Sequence, residues 1–221
     1  MGTKLMITAS THPAKNNILE YVDYLQKNNI NIGMLHVDIM DGVFVEDKTF
    51  DYEMVKEISK QTTIPLDCHL MIKEPSEIID KYIDAGANIV TVHYEAFENK
   101  KDLLKTLKHI RKAGCLAGIS INPKTRPSEI AQYIDFIDMI LVMSVEPGKS
   151  GQKFIVDTIN KISVIKDMIK SINDRKILIE VDGGINIDTI NYVKNLVDMV
   201  VCGSALYNST DKNFLINELT K

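Results

Sequence analysis

Short apolar runs rich in β-branched residues alternate along this chain with longer segments that mix apolar and charged positions. The short runs cover residues 5–9, 34–38, 65–70, 89–93, 116–121, 139–142, 177–181 and 199–202. Their length and composition predict buried strands. The mixed segments at 16–27, 52–60, 75–85, 101–113, 126–133, 157–171, 188–195 and near 213–220 carry the spacing of amphipathic helices. Strands that alternate with helices make parallel βαβ units. Eight such units fill the sequence without a linker, which predicts the α/β class and a closed (β/α)8 TIM barrel, one domain over residues 1–221. An open doubly wound sheet would carry its glycine-rich turn after the first strand. Here that turn reads Ser10-Thr11-His12-Pro13, and the glycine-rich turns come late.

Composition narrows the function classes. Apolar residues make up 45% and charged residues 25%, ordinary for a soluble globular protein. A net charge of −4 argues against nucleic acid as a partner. No apolar run reaches the roughly 18 residues of a membrane span, and the start does not read as a signal peptide. Cys68, Cys115 and Cys202 are far apart, with no CxxC spacing, and read as reduced core residues. The cytoplasm is the expected compartment.

Chemistry collects where a barrel puts it, at the C-terminal ends of its strands. In Leu35-His36-Val37-Asp38 the two-residue period turns His36 and Asp38 to one face. His69 and Asp182 end other strands. Two imidazoles and two carboxylates suit a divalent transition metal, whether Zn, Fe(II), Mn or Co. Ser10, His93, Asn122, Ser144 and Ser204 occupy similar strand ends. The late glycines, Gly148 and Gly151 after strand six, Gly183 and Gly184 after strand seven, and Gly203 after strand eight, resemble a backbone phosphate cradle. Pro147-Gly148-Lys149-Ser150 is not a nucleotide loop, because the glycine needed five positions earlier is Met143. Met40, Met71 and Met143 fall just past strands, either as core or as a soft wall around a substrate. His12 and His109 read as loop and helix surface.

Several phrases are together specific. His36-Val37-Asp38-Ile39-Met40-Asp41-Gly42, Asp67-Cys68-His69-Leu70-Met71, Ser120-Ile121-Asn122-Pro123-Lys124-Thr125, Val142-Met143-Ser144-Val145-Glu146-Pro147-Gly148, Glu180-Val181-Asp182-Gly183-Gly184-Ile185 and Gly203-Ser204-Ala205 resemble, in order, the ribulose-phosphate 3-epimerase family. The resemblance implies a barrel enzyme that interconverts D-ribulose 5-phosphate and D-xylulose 5-phosphate with one divalent metal ion. Its metal ligands fall on His36, Asp38, His69 and Asp182, its proton acceptor on Asp38 and its proton donor on Asp182. Substrate contacts fall on Ser10, His69, Met40, Met71 and Met143. The phosphate falls on Gly148, Lys149, Ser150, Gly151, Gly183, Gly184, Gly203 and Ser204. The family's members assemble, so a homo-oligomer is expected.

The loops differ from the family's. Gly148-Lys149-Ser150-Gly151-Gln152 stands where the family has Gly-Phe-Gly-Gly-Gln, and Ser10-Thr11-His12-Pro13 where it has Ser-Ile-Leu-Ser. These loops cover the sugar. They leave open a 3-epimerase of a hexulose 6-phosphate such as D-allulose 6-phosphate, and, in another class, a non-catalytic phosphosugar-binding barrel. A decarboxylase or aldolase would need a strand-end lysine, and only Lys124 comes near.

Overall fold

Eight parallel strands, each paired to the next, close on themselves in sequence order. They are β1 (Met6–Ser10), β2 (Met34–Met40), β3 (Leu66–Met71), β4 (Ile89–His93), β5 (Leu116–Ile121), β6 (Met139–Met143), β7 (Leu178–Asp182) and β8 (Met199–Cys202). The seam is β1 against β8, with Ala9 opposite Cys202. The computed structural model describes residues 5–172 and 175–221. The first four residues of the expected domain, and 173–174 within it, lie outside the described residues.

The helices follow as α1 (Ile18–Lys27), α2 (Tyr52–Gln61), α3 (Ile79–Asp84), α4 (Lys100–Lys112), α5 (Thr158–Ile172), α6 (Ile190–Val193), α7 (Ser204–Asn208) and α8 (Lys212–Thr220). Some of their starts are capped by residues legible in the sequence. The Asp51 carboxylate accepts from Glu53 N–H and Met54 N–H at the head of α2, and Asp211 accepts from Phe214 N–H at the head of α8. Among the described residues no helix is long and apolar enough to cross a membrane.

The strand pleat divides the interior in two. Leu35, Val37 and Ile39 of β2, Cys68 and Leu70 of β3, and Ile179 and Val181 of β7 face outward into the core beneath the helices. Each fully buried aliphatic side chain there contributes about 1.5–3 kcal/mol. The inward side begins with an apolar plug of Met34, Ile89, Met139 and Met199, one residue from each even-numbered strand. Above the plug the interior becomes polar, which is where the site begins.

Three expected helices are shorter than their pattern: 75–85 folds as a 3-10 turn, Pro75–Glu77, followed by α3. Residues 126–133 fold as two 3-10 turns, Pro127–Glu129 and Ala131–Phe136. Of 188–195 only α6 is helical. There Asn186 Oδ1 accepts from the N–H of Asp188 and Thr189, and Thr189 Oγ1 donates to Gly184 O at 2.8 Å. These side chains capture the backbone before a helix can start. Conversely, α7 lies where no helix was expected. Met40, Met71 and Met143 are the last residues of their strands, not the first beyond them. Cys68 and Cys202 are buried as expected, but Cys115 is only partly so and lies just before β5.

Candidate active site

β2 sets the site. All seven of its residues are buried, and the parity that sends Leu35, Val37 and Ile39 outward turns His36 and Asp38 into the barrel. Asp67 and His69 of β3, Thr91 and His93 of β4, and Glu180 and Asp182 of β7 meet them there. His36 Nε2 lies 3.3 Å from His69 Nδ1 and 3.4 Å from Asp38 Oδ1. His69 Nδ1 lies 3.1 Å from the same oxygen. One donor atom from each of His36, Asp38, His69 and Asp182 falls within 4.8 Å of the others. The four residues singled out in the sequence therefore form one cluster that could hold a metal ion.

The donor set suits a cation on chemistry as well as spacing. Burial pushes the His36 imidazole down, but the Asp38 and Asp67 carboxylates outweigh it and hold it well above the ordinary histidine range. The same two carboxylates would draw a cation into the cluster. His36 Nδ1–H donates to Asp67 Oδ2 at 2.6 Å, which aims Nε2 at the other three donors.

The two aspartates differ. Burial pushes Asp38 up, yet His36 and His69 outweigh it and keep the carboxyl well below its usual range. Asp182 is pushed up to about 6, by burial first and then by the Asp38 charge. One carboxylate is held ionised, and the other is brought close to neutral pH.

Supporting groups lie below and beside the cluster. Thr8 Oγ1 donates to Glu180 Oε1 at 2.8 Å, and Thr91 Oγ1 donates to Asp67 Oδ1 at 3.3 Å. Burial, then the Asp67 charge, pushes Glu180 well above the carboxylate range. His69 Nε2 meets His93 Nε2 at 2.7 Å, and His93 Nδ1 meets Glu95 Oε2 at 3.3 Å. Burial lowers His93 to about 4. Asp67 and Glu180 were not singled out in the sequence. The same two-residue step that links His36 to Asp38 links them to His69 and Asp182, and would have found them.

A cavity of about 250 Å³ opens above the cluster. Ser10, Asp38, Met40, Met71, Met143 and Asp182 line it. Ser10 Oγ donates to Asp38 Oδ2 at 3.0 Å. His36 and His69 form the floor beneath, fully buried and off the cavity wall. Gly148, Lys149, Ser150, Gly151, Gly183, Gly184, Gly203 and Ser204 line the remaining wall together. Gly184 has φ +65°, and a Cβ there would sit 2.6 Å from Phe154 N, so only glycine fits. The Lys149 ammonium lies 3.3 Å from Glu46, an ion pair between the loops after β6 and β2. His12 corrects an expectation. It is only 7% exposed and lines the cavity beside Ser10, because the turn after β1 folds back into a 3-10 turn, His12–Ala14. His109 does lie at the surface, paired with Asp80.

Residues 7–207 match the family model described as the Ribulose-phosphate 3 epimerase family. The chain is 41% identical over 179 residues to the ribulose-phosphate 3-epimerase of Aquifex aeolicus, covering 80% of this chain and 79% of that protein. The Bacillus subtilis ribulose-phosphate 3-epimerase is 39% identical over 186 residues, with 84% of each chain covered. Among solved structures, 3-keto-L-gulonate-6-phosphate decarboxylase from Vibrio cholerae superposes with a TM-score of 0.72 at 12% identity, over 98% of this chain and 96% of that one. For 3-hexulose-6-phosphate synthase from Salmonella typhimurium the values are 0.67, 18%, 98% and 97%. At those identities the two structures share the barrel fold with this chain.

Proposed function

This chain belongs to the ribulose-phosphate 3-epimerase family, and from that premise we propose that it inverts C3 of a ketose phosphate, interconverting D-ribulose 5-phosphate and D-xylulose 5-phosphate. Membership makes the protein an isomerase. The observation that carries the finer reading is the meeting of Asp38 and Asp182, from strands β2 and β7, over two buried imidazoles at the base of one cavity.

Inverting a carbon beside a carbonyl means taking its proton from one face and returning one to the other. Asp38 takes the C3 proton and Asp182 gives one back, and in the reverse reaction they exchange roles. Ser10, donating to Asp38 Oδ2, fixes the base in position. His36, Asp38, His69 and Asp182 would hold one divalent ion (Zn, Fe(II), Mn or Co), which supplies Lewis-acid stabilisation of the enediolate charge. Backbone N–H groups of the Gly148–Gly151 loop, Gly183, Gly184, Gly203 and Ser204 take the phosphate, and that remote binding energy holds C3 between the carboxylates. Met40, Met71 and Met143 shield the intermediate without offering it a proton.

A second reading, a 3-epimerase of a hexulose 6-phosphate, draws on His12 and Lys149, two polar groups on the wall where the family's sequences differ. A paired assay separates the two. The metal-loaded protein is given D-ribulose 5-phosphate and D-allulose 6-phosphate separately. A higher kcat/KM on the pentose is expected. A higher value on the hexose would replace the first reading with the second, and turnover of neither would overturn both.

A further inference from the structure

His69 leans on a histidine outside the donor cluster. Its Nε2 stands 2.7 Å from His93 Nε2, with the rings 25° from parallel. His93 Nδ1 stands 3.3 Å from Glu95 Oε2. Glu95 Oε1 accepts from Asn122 N–H at 2.8 Å and from the Thr125 hydroxyl. The chain therefore runs from the barrel floor through β4 to the loop after β5.

Proton counting fixes every orientation in it. His69 Nδ1 is the atom beside Asp38 and His36, so it must present a lone pair to a bound ion. A neutral His69 then carries its proton on Nε2 and donates to His93 Nε2. That nitrogen must accept, so a neutral His93 carries its proton on Nδ1 and donates to Glu95. Glu95 accepts at both oxygens, as an ionised carboxylate does. Reversing any one link puts two donors, or two lone pairs, face to face.

We propose that His93 and Glu95 are positioning residues that lock His69 in the Nε2–H tautomer, so that its Nδ1 lone pair is permanently aimed at the metal site. This rests on the reading of His36, Asp38, His69 and Asp182 as the ligand set. Asp67 serves His36 in one step; His69 needs two, because a histidine stands between it and its carboxylate. Breaking such outer contacts weakens metal binding by about 10- to 100-fold.

The test measures cobalt(II) affinity of metal-free protein by competition with a chelator. Wild type, His93→Leu, His93→Gln and Glu95→Gln are compared, with thermal melts as a check on folding. His93→Leu removes the acceptor and is expected to bind cobalt about 10- to 100-fold more weakly. His93→Gln restores an acceptor toward His69 and a donor toward Glu95, and is expected to recover most of the loss. Glu95→Gln keeps the shape of the chain but turns one acceptor into a donor. It should weaken cobalt binding too, and should shift the ¹⁵N resonances of His69 toward the other tautomer. It also serves if His93→Leu does not fold. Wild-type affinity in both His93→Leu and Glu95→Gln would overturn the proposal while leaving the ligand set intact. A wild-type protein that takes up no cobalt would overturn the ligand set and the proposal with it.

Discussion

At the scale of single residues, the proposed scheme separates groups that do chemistry from groups that hold them. Asp38→Asn and Asp182→Asn should each lower kcat by at least about 10²-fold, the low end of what one acid–base group contributes. Circular dichroism should be unchanged, since both side chains border the cavity and neither fills the core. Substantial turnover in either variant would refute the two-carboxylate scheme. His12→Leu, which removes a polar ring from the cavity wall, should change KM more than kcat in steady-state assays. The thiols give an independent check. Burial pushes Cys202 up to about 12 and Cys68 well above its ordinary value, while Cys115 is only partly buried. A disulfide reagent should titrate no more than one thiol in the native protein and all three after denaturation. The four clustered residues were legible in the sequence because strand parity is a local rule, and their convergence needed only the closed barrel. His12 was not legible. Its burial depends on how the turn after β1 folds against the mouth of the barrel, which no periodicity encodes.

At the scale of elements, strands and helices obey different limits. The strands were legible to within a residue or two, since each is an apolar run buried on both faces. The helices over 75–85, 126–133 and 188–195 were not, because Pro75 and Pro127 open 3-10 turns and the Asn186–Thr189 side chains capture the backbone. The fit between neighbouring strands makes its own prediction. A Cβ on Gly118 of β5 would lie 2.2 Å from Thr91 Oγ1 and 3.1 Å from Thr91 Cα, in the adjacent strand. Gly118→Ala should therefore cost about 1–3 kcal/mol in urea unfolding. An unaltered midpoint would mean that the two strands can slide apart at no cost. Because Thr91 also donates to Asp67, the same variant should disturb the support of His36.

At the scale of the whole molecule, the interior is graded from a methionine-rich plug to a charged floor. A bound ion should tie β2, β3 and β7 together and stabilise the fold by mass action, about 2.7 kcal/mol at a hundred times its Kd. Excess chelator should lower Tm and added cobalt restore it. A melt indifferent to both would refute metal binding to the folded state. Light scattering should return at least twice the mass of one chain if the expected homo-oligomer forms.

The barrel's seam also has a consequence in time. A ribosome releases His36, Asp38 and His69 early, but Asp182 only after about half the chain has followed. Strand β8, which must meet β1 to shut the cylinder, comes later still. A half-made chain thus carries three of the four proposed ligands, with Ser10, Asp67 and His93 already made but without Asp182 or the glycine loops of the later strands. On the proposed ligand set the nascent protein can grasp an ion before it can be an enzyme, and the pairing that shuts the cylinder also brings Gly203 and Ser204 to the cavity wall.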